Sequence, residues 1–373
     1  MQKKYKSLGL MSGTSGDGVD ASIIISNGRD DYESIYDKYF QYDDKIYKKI
    51  HELKDKINNL QDLKKLSKDI KDLERKITLF HAKLVKDLDI KFEDYLVGFH
   101  GQTIFHNSKE KKSIQLGDAK LLYQLLKKKI VYNFRSNDLF HNGEGAPLTP
   151  IFHQLIVSKN KIDLPVCVLN IGGISNITII NKSAGSEELI SKDIGPGNCL
   201  IDSWVRKNSK EKFDKNGNFA KRGEKNEIII EQAQELYENR KNKEKLSFDV
   251  NDFDISFARG LSLPDGAKTL TDFTAGIIGS ELNKNIGNYN NEVKNILVCG
   301  GGRKNQILME EIKKNLKKGL KLLKIDNFKV NGDFIESQAF AFLAIRRINN
   351  LPISFPSTTG CSQPCIGGDL VEN

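Results

Sequence analysis

LGLMSGTSGDGVDASIII, residues 8–25, sets two apolar arms around a turn made of Gly, Ser, Thr and Asp. Val19, Ala21, Ile23 and Ile25 alternate with Asp20, Ser22 and Ile24, the period of a strand. The stretch therefore reads as strand, polar turn, strand. The turn runs from Ser12 to Gly18, longer than the two residues of a minimal hairpin and too rich in glycine for a packed core. Glycine turns at strand ends cradle anions, because bare backbone N–H groups can approach an oxygen closely.

The second half of the chain repeats the design. VCVLNIGGISNITII, residues 166–180, is again strand, glycine turn, strand, and reads as the start of a second domain with the topology of the first. Two more glycine sites follow, DIGPGN (193–198) and GGGRKN (300–305), the latter between a buried strand from 295 and a helix running to 316. None of the four fits the P-loop pattern or a dinucleotide GxGxxG between strand and helix. One such cluster alone is a turn. Four, two of them in pseudo-repeated hairpins, suggest a nucleotide held between two similar domains. The hairpin turns would grip its phosphates, and its adenosine would lie near a strand–Gly–helix junction.

The remaining chain fits a soluble α/β protein. Of 373 residues, 38% are apolar and 29% charged, ordinary for a globular chain of two domains. No apolar run approaches the roughly 18 residues of a membrane span, and the N-terminal apolar stretch is too short for a signal peptide, so a cytoplasmic protein without membrane attachment is expected. The net charge of +9 comes from lysines spread among acids along helical faces. No RNA-binding or helix-turn-helix signature accompanies it, so a nucleic-acid partner is not expected. Cys167, Cys199 and Cys299 lie in apolar segments and read as buried thiols. Cys361 and Cys365 lack a second pair or a histidine cluster, which argues against zinc, and the odd total of five argues against a disulfide framework. Ile46, Ile50, Leu53, Ile57 and Leu60, then Leu63, Leu66, Ile70, Leu73 and Ile77, step by three and four: one long amphipathic helix, or two broken near Asn58–Asn59. Short strands are expected at 95–98, 113–116 and 130–133, helices at 121–128 and 338–350, a surface excursion at 206–227 and a loop from 352 to the end.

GLMSGTSGDGVDA, GFHGQTIFH, QLGDA, NFRSNDL with GEGAPLTPIFHQL, LNIGGISNIT, DIGPGNCLIDSW, LSLPDGAKTLTDFTA, LVCGGGRKN and the FIESQAFAFLAIRRINNLP helix region occur in this order along nearly the whole chain. Together they resemble the anhydro-N-acetylmuramic acid kinases of the hexokinase, Hsp70 and actin superfamily. The resemblance implies an α/β fold of two similar actin/hexokinase-like domains around a central nucleotide and sugar cleft that closes on substrate. Domain I would hold 1–131 plus 340–373, and domain II 132–339. It implies ATP and Mg2+ as cofactors, a small-molecule substrate and a homodimer. The reaction adds water to the anomeric carbon of 1,6-anhydro-N-acetylmuramic acid and transfers the γ-phosphoryl of ATP to the released O6. The product is N-acetylmuramic acid 6-phosphate, in peptidoglycan recycling. Two alternatives share the fold: a sugar kinase acting on a free hydroxyl, and a non-catalytic nucleotide-binding switch.

The family motifs assign roles residue by residue. Asp193 stands at the position of the catalytic base; on the residues alone it is equally a turn cap. Gly13, Thr14, Ser15, Gly16, Asp17, Gly18, Val19 and Asp20 would wrap the phosphates of ATP. Asp17 and Asp20 beside a phosphate call for a cation, with Asp17 reaching Mg2+ through water. Gly172, Gly173, Gly195, Gly197 and Asn198 belong to the same ATP site, and Gly300, Gly301, Gly302 and Asn305 to its adenosine side. Arg135 pairs with the lactyl carboxylate or forms a structural ion pair. His100 contacts the sugar or is a buried, satisfied histidine. Glu336 falls at the family's sugar-contacting glutamate. Three positions depart from the pattern: Gly16 replaces leucine, Asn133 replaces the aspartate before Phe134-Arg135, and Leu246 stands where relatives carry lysine.

Overall fold

The computed structural model describes residues 3–88, 90, 93–181, 189–239, 248, 250–287 and 292–372, which form two compact units. Unit 1 comprises Met1–Lys161 with Phe334–Asn373, and unit 2 Ile162–Asp333.

Unit 1 begins with strands β1 (Tyr5–Ser12), β2 (Gly18–Ser26) and β3 (Tyr32–Gln41), then helices α1 (Asp44–Lys56), α2 (Leu60–Lys65) and α3 (Ser67–Asp87). It continues through β4 (Leu96–Asn107), β5 (Lys112–Leu116), α4 (Ala119–Leu126), β6 (Ile130–Tyr132), α5 (Ser136–Phe140) and α6 (Pro150–Lys159). In unit 2, β7 (Val166–Ile171), β8 (Ile174–Ile180) and β9 (Leu189–Pro196) precede α7 (Cys199–Asn208), α8 (Glu227–Glu238), α9 (Leu263–Gly287), β10 (Asn295–Cys299), α10 (Gln306–Asn315) and β11 (Lys321–Lys324). The chain returns to unit 1 with α11 (Ile335–Ile348), α12 (Pro356–Thr359) and β12 (Asp369–Val371).

The two sheets share one strand order. Unit 1 runs β12-β6-β4-β1-β2-β3, with β5 paired to β4, and unit 2 runs β11-β10-β7-β8-β9. In each, an antiparallel three-strand meander carries a parallel strand beside its first member, and a second parallel strand beyond that. The repeat seen in the hairpin turns is thus a repeat of topology.

Alternation along β1 decides how unit 1 packs. Leu8 and Leu10 face α1, α3 and α4 in a core with Ile46, Ile50, Leu53, Leu73 and Ile77. Gly9 faces the other way, where α11 lies directly on the sheet. A Cβ on Gly9 would overlap the Ser337 carbonyl oxygen, and one on Gly98 of β4 would overlap that of Phe340. These glycines let the backbone of α11 touch the backbones of β1 and β4. Eleven side chains of α11 are buried in consequence. In unit 2, α9 joins two cores. Its first half meets Cys199, Leu200 and Trp204 of α7, and its second half covers Cys167, Leu169 and Ile171 of β7 with Leu308 and Ile312 of α10.

Local chemistry explains several boundaries. Asp43 caps α1 by accepting from the Ile46 amide at 2.8 Å. The 43–86 segment forms three helices, not one or two: the break at Asn58–Asn59 is present, with Asn59 capping α2, and a second break follows at Leu66. β4 runs on through His100–Asn107, beyond the end expected at Gly98, because Leu116 to Lys112 of β5 pair with it. The tail beyond 352 is ordered by β12, which pairs with β6 through Asp369–Tyr132, Leu370–Val131 and Val371–Ile130. The compact units cross at Lys161/Ile162 and Asp333/Phe334, whereas the sequence suggested crossings at 131/132 and 339/340. Residues 134–157 stay with unit 1 because Phe134 packs on Phe340, and Phe152 on Tyr32 and Phe342. All five cysteines are buried and free. Among the described residues, no helix is long and apolar enough to cross a membrane.

Two outcomes follow from this packing. Gly98→Ala forces a Cβ onto a helix carbonyl and should cost about 3 kcal/mol, the upper range for overpacking, read as a lowered denaturant midpoint with the slope unchanged. Burial also brings the imidazoles of His81 and His153 down to about 4 from 6.5. The unfolded chain then takes up protons first as the pH falls, so stability is full above pH 6.5 and declines toward pH 4, by about 3 kcal/mol for each histidine. The urea midpoint should therefore drop between pH 7.5 and 5; a constant midpoint would contradict it.

Candidate active site

The first glycine turn is held from behind. Ser12 Oγ donates to Gln102 Oε1 at 2.6 Å and lies 2.9 Å from the Gly18 carbonyl, while Gln102 Nε2 donates to the Gly13 carbonyl at 3.0 Å. Lys54 Nζ donates to the Thr14 carbonyl at 2.7 Å, His51 Nε2 to that of Ser15 at 3.0 Å, and the Tyr42 amide to that of Asp17 at 2.9 Å. The C=O and the following N–H of a trans peptide point in opposite directions. Tying these carbonyls back therefore turns the amides of Thr14 and Ser15 toward the exposed face, beside their own hydroxyls. Gly16 has φ +63° and closes the turn with its amide on Gly13 at 3.1 Å, a conformation that a leucine there would strain. Val19 is wholly buried, so its side chain belongs to the core and only its backbone can serve the turn. Asp17 accepts from Ser15 Oγ and from the Tyr39 hydroxyl. Burial and the carboxylates of Asp17 and Asp20 push that hydroxyl up. Asp20 sits opposite Tyr39 in the β2–β3 ladder.

The other three glycine sites meet inside unit 2. The amides of Gly197 and Cys199 donate to the Gly173 carbonyl at 2.9 and 3.2 Å, and that of Asn198 to Gly172 at 2.8 Å. A Cβ on Gly197 would overlap the Gly172 carbonyl, and one on Gly300 (φ +77°) the Asn170 side chain. Gly302 is pressed equally closely on Ile171. Gly197 and Asn198 thus use their amides to fasten the start of α7 to the β7–β8 turn, which directs the Gly173 amide outward. Gly195 packs against Ile277. Of the glycines at 300–302, Gly301 is exposed and the other two are covered. Asn305 caps α10 by accepting from the Leu308 amide at 3.1 Å.

Asp193 lies on β9, 7% exposed, with Oδ2 accepting from the Phe248 amide at 2.7 Å. That bond fixes the orientation of the carboxylate. Leu246 lies outside the described residues.

His100 and Arg135 form one assembly in unit 1. His100 Nδ1 donates to the Gly101 carbonyl at 2.8 Å, and its Nε2 accepts from Arg135 Nη2 at 2.9 Å. The imidazole is neutral; burial, then the Arg135 charge, holds it well below the usual histidine range. Both ring nitrogens face protein partners, so His100 supports Arg135. Arg135 Nη1 donates to the Gly145 carbonyl at 2.7 Å, and the buried Asp138 fixes Gly145 by accepting from its amide at 2.7 Å. Glu336, half-buried in the first turn of α11, precedes Phe340 by one helical turn, and Phe340 packs on the His100 ring at 4.4 Å. Asn133 has φ +53° and donates from Nδ2 to Asp369 Oδ2 at 2.7 Å. An aspartate there would oppose Asp369; the amide turns repulsion into a bond that ties β12 to the start of the Arg135 segment.

Three supports were not singled out in the sequence. Gln102 sits in a quoted motif, and a buried amide in an apolar strand was its signal. Tyr39 lies in β3, which carries no glycine landmark. Arg303 is 4% exposed and grips Asp326 through two bonds of 2.8 and 2.9 Å, Asp333 at 2.6 Å and the Gly300 carbonyl at 2.9 Å. It holds the Asp326 carboxyl below the usual range and, against the pull of burial, Asp333 too. A buried arginine inside a glycine run was the available cue. Among the described residues, the one cluster with metal-ligand spacing is Asp138 with Cys361 and Cys365, away from the glycine turns in sequence.

Two units with one strand order, each with a glycine turn at its leading hairpin, define an α/β protein built from two similar units. A family model described as anhydro-N-acetylmuramic acid kinase matches residues 5–373. The Pelagibacter ubique (strain HTCC1062) protein named anhydro-N-acetylmuramic acid kinase is 56% identical over 375 residues, 100% of each chain. Proteins of the same name from Agrobacterium fabrum and Zymomonas mobilis are 34% and 36% identical, covering 98% and 97% of this chain and 98% of their own. The chain belongs to the anhydro-N-acetylmuramic acid kinase family.

Arg303→Lys keeps the charge but loses the fork that spans two carboxylates and a carbonyl. It should destabilise the protein by about 2–3 kcal/mol and weaken ATP binding by calorimetry through the loosened Gly300 turn. Unchanged stability would show that the cluster does not hold the turn.

Proposed function

We infer that this kinase uses ATP to phosphorylate 1,6-anhydro-N-acetylmuramic acid while opening it hydrolytically, giving N-acetylmuramic acid 6-phosphate and ADP for peptidoglycan recycling. The observation that carries the assignment of roles is the buried Asp193, fixed by the Phe248 amide at the end of β9, within the unit where three glycine sites converge.

In this reading Asp193 takes a proton from the attacking water. Its side chain is oriented by protein and shielded from bulk solvent, as a general base requires. The outward amides of Thr14 and Ser15 and the Thr14 hydroxyl hold phosphate oxygens, and the Gly173 amide adds a second donor set. The exposed Gly301 offers a flat surface to the adenosine. Arg135, supported by His100 and Gly145, receives the lactyl carboxylate, and Glu336 meets sugar hydroxyls. Gly195, Gly197, Gly300, Gly302 and Asn305 serve the nucleotide by shaping its turns.

Mg2+ fits the first turn through Asp17. With Ser15 and Tyr39 already on this carboxylate, an ion held mainly by the phosphates and reached through water suits it better than a direct ligand cage. When bound, the ion neutralises charge on the transferring phosphoryl group. The same reading extends to a cytoplasmic homodimer, on the family resemblance alone.

The test is ADP release with Mg2+ on 1,6-anhydro-N-acetylmuramic acid, N-acetylmuramic acid and N-acetylglucosamine. Turnover is expected with the anhydro sugar alone, and Asp193→Asn should lower kcat by about 10³-fold with ATP affinity retained. Turnover on the free sugars with the anhydro sugar inert would replace this reading with an ordinary sugar kinase.

A further inference from the structure

Asn176 stands opposite Asp193 in the β8–β9 ladder, where the register shifts between Ser175 and Asn176. Paired residues of an antiparallel ladder project from the same face, with Cβ atoms about 4.5–5.5 Å apart. The Asn176 amide oxygen Oδ1 is buried and has no hydrogen-bond partner among the described residues. A buried acceptor left without a donor costs stability, so such atoms mark a missing partner. The next pair along the same face is internally satisfied: Thr178 and Ser191 place their hydroxyls 3.4 Å apart, and Ser191 Oγ donates to the Ile177 carbonyl at 2.6 Å. Of these two pairs, the one with the unpartnered acceptor is the pair that contains the proposed base.

The missing partner must be a donor. An ionised Asp193 only accepts, and so do the phosphate oxygens of a nucleotide. Water can donate to Asp193 and to Asn176 Oδ1 at once, using both of its hydrogens. We propose that Asn176 Oδ1 accepts the second hydrogen of the water that Asp193 deprotonates, so that the two side chains together aim its lone pair at the anomeric carbon. This rests on the reaction inferred above. One O–H bond of the water breaks and its proton goes to Asp193, as a bond forms from that oxygen to the anomeric carbon. The bond from that carbon to O6 breaks, and its electron pair goes to O6. O6 bonds to the γ-phosphorus as the bond to the β–γ bridging oxygen breaks and ADP leaves. The hydrogen on Asn176 remains as that of the new anomeric hydroxyl.

The test compares Asn176→Leu, similar in shape but without an acceptor, with Asn176→Asp, which keeps one. Asn176→Leu should lower kcat about 100-fold, with KM for the anhydro sugar and for ATP within about threefold of the wild type. Asn176→Asp should keep more activity. It should also move the acid limb of the kcat–pH profile upward by about one unit, because a second carboxylate disfavours ionisation of Asp193. Wild-type kcat in Asn176→Leu, or a raised sugar KM with kcat intact, would overturn the proposal; the second result would assign Oδ1 to a sugar hydroxyl. Should Asn176→Leu fail to bind ATP by calorimetry, the Asn176→Asp profile decides alone, and an unshifted limb overturns the proposal. A wild-type protein inert on the anhydro sugar would instead overturn the underlying reaction.

Discussion

Contact with the backbone closer than a Cβ allows is the constraint on which both units depend. In unit 1, Gly9 and Gly98 let α11 lie on the sheet, and the chain that returns from unit 2 is thereby fixed to the strand that leads into the first glycine turn. In unit 2, Gly197 against Gly172, and Gly300 and Gly302 against Asn170 and Ile171, press three turns separated in sequence into one cluster. Glycine is required at these places for proximity. At Gly16 and Gly300 a positive φ adds a second reason.

This divides the glycines by task. Those in contact build the turns, and the exposed residues Thr14, Ser15 and Gly301 are the ones proposed to meet the nucleotide. The bonds that hold back the Gly13 and Thr14 carbonyls do the same work electrically, since each sends the next amide, that of Thr14 or Ser15, outward. Arg135 follows a similar rule. Its guanidinium is aimed by His100 and Gly145, and those are fixed in turn by Gly101, Phe340 and Asp138.

The hairpins 8–25 and 166–180 were legible because strand alternation and glycine turns are local signals, and the pseudo-repeat they announced is the topology found. The edge strands β3, β9 and β11 were missed. β3 alternates weakly because most of its side chains are exposed, β11 has four residues, and the DIGPGN glycines disguise the end of β9 as a turn. β12 was hidden in a tail rich in Pro, Ser and Gly, since its pairing with β6 is a long-range fact. At the site, residue types were legible and partnerships were not. His100 and Arg135 stood out separately, but nothing local shows that the imidazole accepts from the guanidinium. Asn133 looked like a loss of charge until Asp369, 236 positions away, supplied the reason for it. Asn176 lay within a quoted motif, and only the register of β8 against β9 places it beside Asp193.

The central claim is that water, and not a sugar hydroxyl, is the nucleophile at the anomeric carbon of the phosphorylated product. Turnover of 1,6-anhydro-N-acetylmuramic acid with ATP in ¹⁸O-labelled water, quenched early and read by mass spectrometry of the sugar phosphate, tests it directly. The account predicts one labelled oxygen, on the anomeric carbon, for each ADP formed, with none on the phosphate. Product formed at full rate without label at that carbon, or label appearing in the phosphate, would contradict it.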